Sequence, residues 1–529
     1  MTHEITNPII PGFAPDPSIV LVDHIYYLVT SSFHLFPGLP IYTSTDLKTW
    51  TLLGHAYNRR DQLSLEHATS VEVALDTGNK LVATLGLYAA TIRYHRGKFY
   101  VVCTNSIMHP TEGWKLENFI LTTADIAAGD WSDPIYFDFK GIDPDLFFDD
   151  DGTAYVQGSW TVDRTKQPSC TIMQVAIDIE TGAHLSEPTE IWTGWSKYDT
   201  EGPHIYKVGG WYYLLVAEGG TFEGHHLSIA RSKSVSGPFE SYEKNPILTA
   251  RDTDEYIQNV GHGDLIEDSF GQWWAVVLGV RGVSGWPLGR ESFLALVEWT
   301  EDGWPRITQP KKKFEAELDR KIGRLNSSNE KGEDNLELVH IRNPDPSQYE
   351  YSSSNHAAHI KLKPSAQGLS APRGPITFLG KRQRALASTA TVSLALGKHH
   401  GSSITAGLAL FKDHLRHASI AYDFESGNLR FHATNPATGL SRTDESPVAL
   451  NRADDMESAT VDLRIQSSAG AYTLYFRLDS SRDWRELGHV TASEMFVRDF
   501  TGPVFGVFAY GEGTGDMVEF RHFGVECLD

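Results

Sequence analysis

The chain has few cysteines, no excess of basic residues, no long apolar run and hardly any helical periodicity. Its three cysteines, Cys103, Cys170 and Cys527, are too few and too scattered for a disulfide framework or a thiolate zinc site, and read as structural thiols. Lys and Arg number 46 against 68 Asp and Glu, a formal charge of −22 with no basic stripe. That balance argues against nucleic acid or an anionic membrane as partner and leaves a neutral or cationic ligand. No stretch approaches the roughly 20 apolar residues that cross a bilayer, although 40% of the 529 residues are hydrophobic, ample material for cores. The opening residues, Thr2-His3-Glu4-Ile5-Thr6, have neither the positive flank nor the apolar core of a secretory signal. A cytoplasmic protein is expected, or a secreted one if its signal has been removed.

What the chain does have is short β-branched and aromatic runs bounded by Gly, Asp and Asn turns, the signature of strands. Five similar strand starts recur, around Tyr26, Phe99, Ala154, Tyr212 and Trp274. Their spacing is wide enough for a four-stranded sheet each. Aromatics that close outer hairpins (Trp50, Trp131, Phe239) suit wedging between neighbouring sheets. An all-β fold with a five-bladed β-propeller over residues 1–310 is predicted. Residues 311–334, from Lys311-Lys312-Lys313 into the polar run Asn326–Asp334, read as a linker. Period-2 alternation returns in Thr389–Leu396, Ala459–Ile465, Ala471–Arg477 and Val504–Phe508. It predicts a C-terminal, lectin-like β-sandwich over 335–529.

Aligning the five starts also aligns the strand before each, the one nearest the propeller axis. Asp16, Asp143, Glu201 and His262 fall 10 to 12 residues ahead of their starts, and the second unit offers Tyr88-Ala89-Ala90. Inner strands converge on one axis, so three carboxyls and an imidazole should meet at one mouth of the channel. Crowded carboxyls oppose one another's ionisation and separate their pKa values. Glycosidic cleavage needs that separation, with one carboxyl protonated to release the leaving oxygen and another ionised to activate water or attack. Plainer readings exist. Asp before Pro is a common turn former, a reading open to Asp16 and to Asp143-Pro-Asp145, of which Asp145 is read as structural, and Asp149-Asp150-Asp151-Gly152 suits a hairpin turn better than a calcium loop. His262 could hold water, bind a divalent cation or satisfy core hydrogen bonds.

The stretches Asn7-Pro-Ile-Ile-Pro-Gly-Phe-Ala-Pro-Asp16-Pro-Ser18, Gly141-Ile-Asp143-Pro-Asp145-Leu-Phe147 and Thr200-Glu201-Gly-Pro-His204 resemble the three signature motifs of glycoside hydrolase family 43, most closely its two-domain β-xylosidase branch. Phe36-Pro-Gly38, Ala217-Glu-Gly-Gly-Thr221, Gly261-His262, Pro287-Leu-Gly-Arg290, Asp302-Gly-Trp-Pro305 and Phe500-Thr-Gly502 add to the likeness. The resemblance implies Asp16 as general base, Asp143 as the residue that raises and orients the acid, and Glu201 as general acid. It also implies inversion, with Asp16 and Glu201 roughly 6.5–9.5 Å apart. Arg290 would hold sugar hydroxyls, Phe33, Tyr88, Thr221 and His262 would line the pocket, and Phe500 would narrow it from the second domain. No cofactor is required, although His262 could hold a divalent cation such as calcium near the axis.

Where similar xylosidases carry Trp-Ala-Pro, this chain has Tyr88-Ala89-Ala90, and Ile142 stands where an aromatic is frequent. The expected activity is exo-hydrolysis of terminal β-1,4-linked D-xylose from xylo-oligosaccharides, a neutral substrate, with no nucleic acid or membrane partner and with homo-oligomerisation left open. The alternatives are an α-L-arabinofuranosidase with the same machinery, a catalytically silent sugar-binding protein, and a propeller serving as a protein-interaction platform.

Overall fold

The computed structural model describes residues 2–528 except 75–79, 319–332, 355–356, 398, 400, 449–458, 479–480, 482, 497, 499 and 513–514. Its first half is five antiparallel sheets of four or five strands. Their innermost strands are Ser18–Val22, Gly86–His95, Ile142–Phe148, Glu201–Val208 and Ile257–Glu267. Each is followed by the aromatic strand recognised in the sequence: Ile25–Val29, Lys98–His109, Ala154–Thr161, Trp211–Glu218 and Trp273–Arg281. These second strands are largely buried on both faces, which explains why they read as apolar runs rather than as alternation. Apolar cores lie between successive blades. Trp131 packs with Val29 and Leu87 between the first and second blades, and Phe239 packs with Ile205 and Ile172 between the third and fourth. The fifth blade meets the first through Trp274, Leu294, Ile19 and Leu28.

Every blade is contiguous in sequence, so ring closure depends on separate contacts. Asn7 exchanges hydrogen bonds with Leu294 (2.9 and 2.8 Å), and Ile10 bridges Ser292. Thr2–Thr6 pairs antiparallel with Lys313–Glu317. That last strand corrects the expected linker. Within 311–334, residues 313–317 alternate a buried Ala316 with exposed charges and close the ring, while 319–332 lie outside the described residues.

The C-terminal half stacks two antiparallel sheets. The larger runs Tyr349–Ser354, Ala357–Leu362, Val518–Cys527, Ser388–Ala395, Thr460–Ser467, Ala471–Leu478 and Arg485–Thr491. The other runs Phe378–Arg382, Val504–Glu512, Ser403–Phe411, His417–Asp423, Asn428–Asn435 and Leu440–Pro447. Strict alternation in Ser388–Ala395 and Thr460–Ser467 turns one face of the larger sheet to the shared core. The sandwich docks on the propeller through a further apolar cluster of Phe13, Phe33, Leu35, Val339, Phe378, Phe411 and Phe508. A short pairing of Leu35–Phe36 with His340–Ile341 adds to it. No helix among the described residues is long and apolar enough to cross a membrane.

Candidate active site

The inner strands do not reach the axis as regular ladders. Register shifts fall between Ile142 and Asp145, between Glu201 and His204, and on either side of Gly261. Such bulges re-aim side chains. Asp16, Phe33, Asp143 and His262 all have positive φ (55, 51, 54 and 31°), a region costing a non-glycine residue of order 1 kcal/mol or more and tolerated where the surroundings over-determine it. These four residues converge from three blades on the candidate site.

The three carboxyls meet there in unequal surroundings. Asp16, 4% exposed, accepts from Ser31 Oγ (2.5 Å), Arg290 Nη1 (3.0 Å) and Arg290 Nη2 (3.3 Å), the charge-assisted partners that a buried anion needs. Asp143 is also buried and, among the described residues, accepts from the Gly202 backbone N–H alone (3.2 Å). Burial, and then the neighbouring Asp16 charge, push its pKa up to about 7. Glu201 opens its strand half-buried. Burial first, then Asp143 and Asp199, hold its carboxyl well above the usual range, with Arg164 opposing. His262 Nδ1 sits between the pair, 3.9 Å from Asp16 Oδ1 and 3.8 Å from Asp143 Oδ2. Burial is the main cause of its pKa falling to about 4, so the imidazole is neutral at neutral pH. The arrangement thus offers one ionised and two protonation-prone carboxyls around a neutral imidazole.

The remaining residues expected from the sequence form the wall. Arg290 donates to Thr221 Oγ1 (3.0 Å) and, through Nε, to the Phe500 carbonyl (3.1 Å). Phe33 stacks on Phe500 (centroids 6.2 Å) and tilts against Tyr88 (5.4 Å), while the Arg290 guanidinium lies 5.8 and 5.5 Å from the Phe33 and Phe500 rings. Phe500 comes from the sandwich and is seated by close backbone approach. A Cβ on Gly289 would lie 2.4 Å from Thr501 O, and one on Gly502 would lie 2.3 Å from Leu288 O. The stack continues outward through Phe222 (6.4 Å from Phe500) to Trp286 (6.3 Å from Phe222), two residues the sequence reading did not select.

A second buried layer, also missed, lies below the first. Arg93 pairs with Asp145 and Asp264 (2.7 Å each) and contacts His204 Nδ1 at 2.9 Å. Ser18 and Tyr206 donate to Asp264 (2.7 and 2.6 Å). Asp145, read as structural, is a fully buried ion-pair partner. The sequence held a signal for this layer. Ser18, Asp145 and Asp264 each lie two residues after Asp16, Asp143 and His262, the next position on the same face of a strand.

Asp143, Glu201 and His262 each place one ligand atom within 4.8 Å of the others. A divalent cation there would hold both carboxyls ionised, whereas without one burial favours their protonated forms. The two states exclude each other. Gly202 (φ 54°) lies so close that a Cβ would stand 2.9 Å from the His262 ring. We expect Gly202→Ala to lower kcat by about tenfold or more through displacement of His262 and of the Asp143 hydrogen bond, with circular dichroism unchanged. Wild-type kcat in this variant would show that the axis tolerates the shift.

Comparison with known proteins agrees with the geometry. Residues 5–305 match the family described as Glycosyl hydrolases family 43, and residues 330–526 match the Beta xylosidase C-terminal Concanavalin A-like domain. The chain is 32% identical to a non-reducing end alpha-L-arabinofuranosidase of Bacteroides ovatus, over 99% of this chain and 95% of that protein. It is 31% identical to a xylosidase/arabinosidase of Butyrivibrio fibrisolvens, over 98% and 99%. The crystal structure of a xylan beta-1,4-xylosidase of Bacillus halodurans superposes with a TM-score of 0.85 at 28% identity, covering 98% of this chain and 99% of that one. With both domains matched and the propeller built as described, the chain belongs to glycosyl hydrolase family 43 and is a glycoside hydrolase.

Proposed function

We propose that the protein is an inverting exo-glycosidase releasing a terminal pentose, β-1,4-linked D-xylose, from short xylo-oligosaccharides. The observation that carries this reading is the unequal partnering of Asp16 and Glu201, which flank the same Asp143–His262 pair. In this reading the Asp16 carboxylate takes a proton from water as the water attacks the anomeric carbon. The Glu201 carboxyl gives its proton to the departing oxygen, and Asp143 stands beside it, raising its pKa. Single displacement leaves no glycosyl-enzyme intermediate. We read the aromatic wall ending in Phe500 as closing one end of the pocket, so that only a chain terminus would enter. Following xylobiose hydrolysis by proton NMR tests the proposal: α-xylose should appear first, and β-xylose as the initial product would overturn inversion.

A second reading, α-L-arabinofuranosidase, is favoured by the name of the Bacteroides ovatus relative, a non-reducing end alpha-L-arabinofuranosidase, and by Tyr88 at a position where the resemblance leads one to expect Trp. Rates on nitrophenyl xyloside and nitrophenyl arabinofuranoside separate the two. Phe500→Ala should lower kcat/KM for xylobiose by about tenfold, on the order of 1.4 kcal/mol, chiefly through KM. The ring supplies a stacked wall. The proton-based chemistry needs no metal, so prolonged dialysis against a chelator should leave kcat unchanged. A loss restored by calcium would place a cation among Asp143, Glu201 and His262.

Asp143 also links the site to stability. Its pKa is raised from 3.8 to about 7 by burial. Below about pH 4 folded and unfolded chains both hold the proton and nothing is lost. Between that point and about 7 the unfolded chain ionises freely and the folded one does not, so the fold weakens as pH rises. Asp143→Asn, which can still accept from Gly202, should therefore melt higher than wild type at pH 8 and no higher at pH 4. Equal melting differences at both values would contradict the raised pKa.

A further inference from the structure

Arg382 ends the strand Phe378–Arg382 where the sandwich meets the propeller, 2% exposed. Its Nε, Nη1 and Nη2 atoms are all buried without a hydrogen-bond partner among the described residues. The guanidinium does lie 5.6 Å from the Phe13 ring, but a cation–π contact offsets only part of the hydration lost by a buried ion. Deprotonation gives no escape, because burial lowers the pKa only to about 10 and the group stays charged at neutral pH.

The neighbouring charges are already committed. Arg384 donates to Pro11 O (2.9 Å), Tyr42 Oη (3.0 Å) and Glu337 Oε1 (3.4 Å). Glu291 is held by Arg281 through two hydrogen bonds (2.9 and 3.0 Å) and by the Gly12 N–H (2.7 Å). His55 is buried on the adjacent first blade, its Nε2 also without a partner. Burial, with Arg382 and Arg384 adding, keeps it neutral. Arg281 thus holds Glu291 and Arg384 reaches Glu337. Arg382 is left without a carboxylate partner among the described residues.

We propose that Arg382, assisted by His55, forms a binding site for a compact inorganic anion of the halide class, buried between the two domains. A water molecule would satisfy N–H donors and leave the charge uncompensated, whereas an anion does both. The position gives the site a consequence for the chemistry. Gly12 packs so tightly on the Gln383 carbonyl that a Cβ there would lie 2.1 Å from it, and Asp16 follows four residues later. An anion on Arg382 would fix the backbone beneath the segment that delivers Asp16.

The test uses the full chain in sodium gluconate, with chloride or bromide replacing gluconate at constant ionic strength. The melting temperature should rise saturably by about 2–4 °C in the millimolar range. Bromide-soaked crystals should show an anomalous peak within hydrogen-bond reach of Arg382. In Arg382→Met the halide-dependent rise should vanish, and in Arg382→Lys it should partly return. If Arg382→Met does not fold, the bromide peak in the wild-type crystal decides. The proposal fails if no such peak is found, the site then holding water only, or if Arg382→Met keeps the full halide-dependent rise.

Discussion

Replacing Asp16 with asparagine should slow hydrolysis of xylobiose and of an aryl xyloside alike, by about a thousandfold or more in kcat. The substitution is nearly isosteric, and the amide oxygen can still accept from Ser31 or Arg290, so the cavity keeps its shape. What disappears is the anion and, in the proposed mechanism, the proton acceptor that would make water a nucleophile, a contribution of roughly 10²–10⁴. Removing the charge also strands the Arg290 guanidinium, which is 7% exposed and whose other acceptors are Thr221 Oγ1 and the Phe500 carbonyl. Both substrates share this step whatever their leaving group, so both should suffer. A loss below tenfold on either one, with the protein folded, would remove Asp16 from the role of base.

Glu201→Ala should behave differently on the two substrates. On xylobiose the departing group is a sugar alkoxide that cannot leave without a proton, and kcat should fall by about 10³. On a dinitrophenyl xyloside the leaving phenolate needs little protonation, and the loss should be under about tenfold. The pH profile carries the same signature. Wild-type activity on xylobiose should decline on the alkaline side as Glu201, held well above the ordinary carboxyl range by burial and by Asp143, finally ionises and can no longer donate. That limb should be absent when the variant acts on the activated substrate. Equal losses on both substrates would show that Glu201 supports the pocket without protonating anything.

The blades and the sandwich were legible because their signals are local. Paired aromatics start the second strand of four of the five blades, and alternation marks the sandwich sheets. The positions of Asp16, Asp143, Glu201 and His262 were legible for a related reason, since a repeat fixes the phase at which each inner strand reaches the axis. Arg93 was not, because an arginine amid Thr91-Ile92-Arg93-Tyr94 reads as one more outward charge until Asp145 and Asp264, far away in sequence, close around it. Phe222 and Trp286 escaped notice because aromatics are abundant here and only three-dimensional stacking distinguishes wall from core. The strand 313–317 was hidden by the lysine run 311–313 that leads into it, which suits an exposed edge as readily as a linker.

Asp16 belongs to the first blade and Arg290 to the last, so their ion pair spans the joint at which the propeller closes, next to the Asn7 and Ile10 contacts. Mild urea or heat that loosens this clasp would part the pair by an ångström or two while the intervening blades, each folded from its own stretch of chain, stay intact. Catalytic failure would then come first and loss of the β signal second, making activity a more sensitive gauge of ring closure than any spectrum of the folded state.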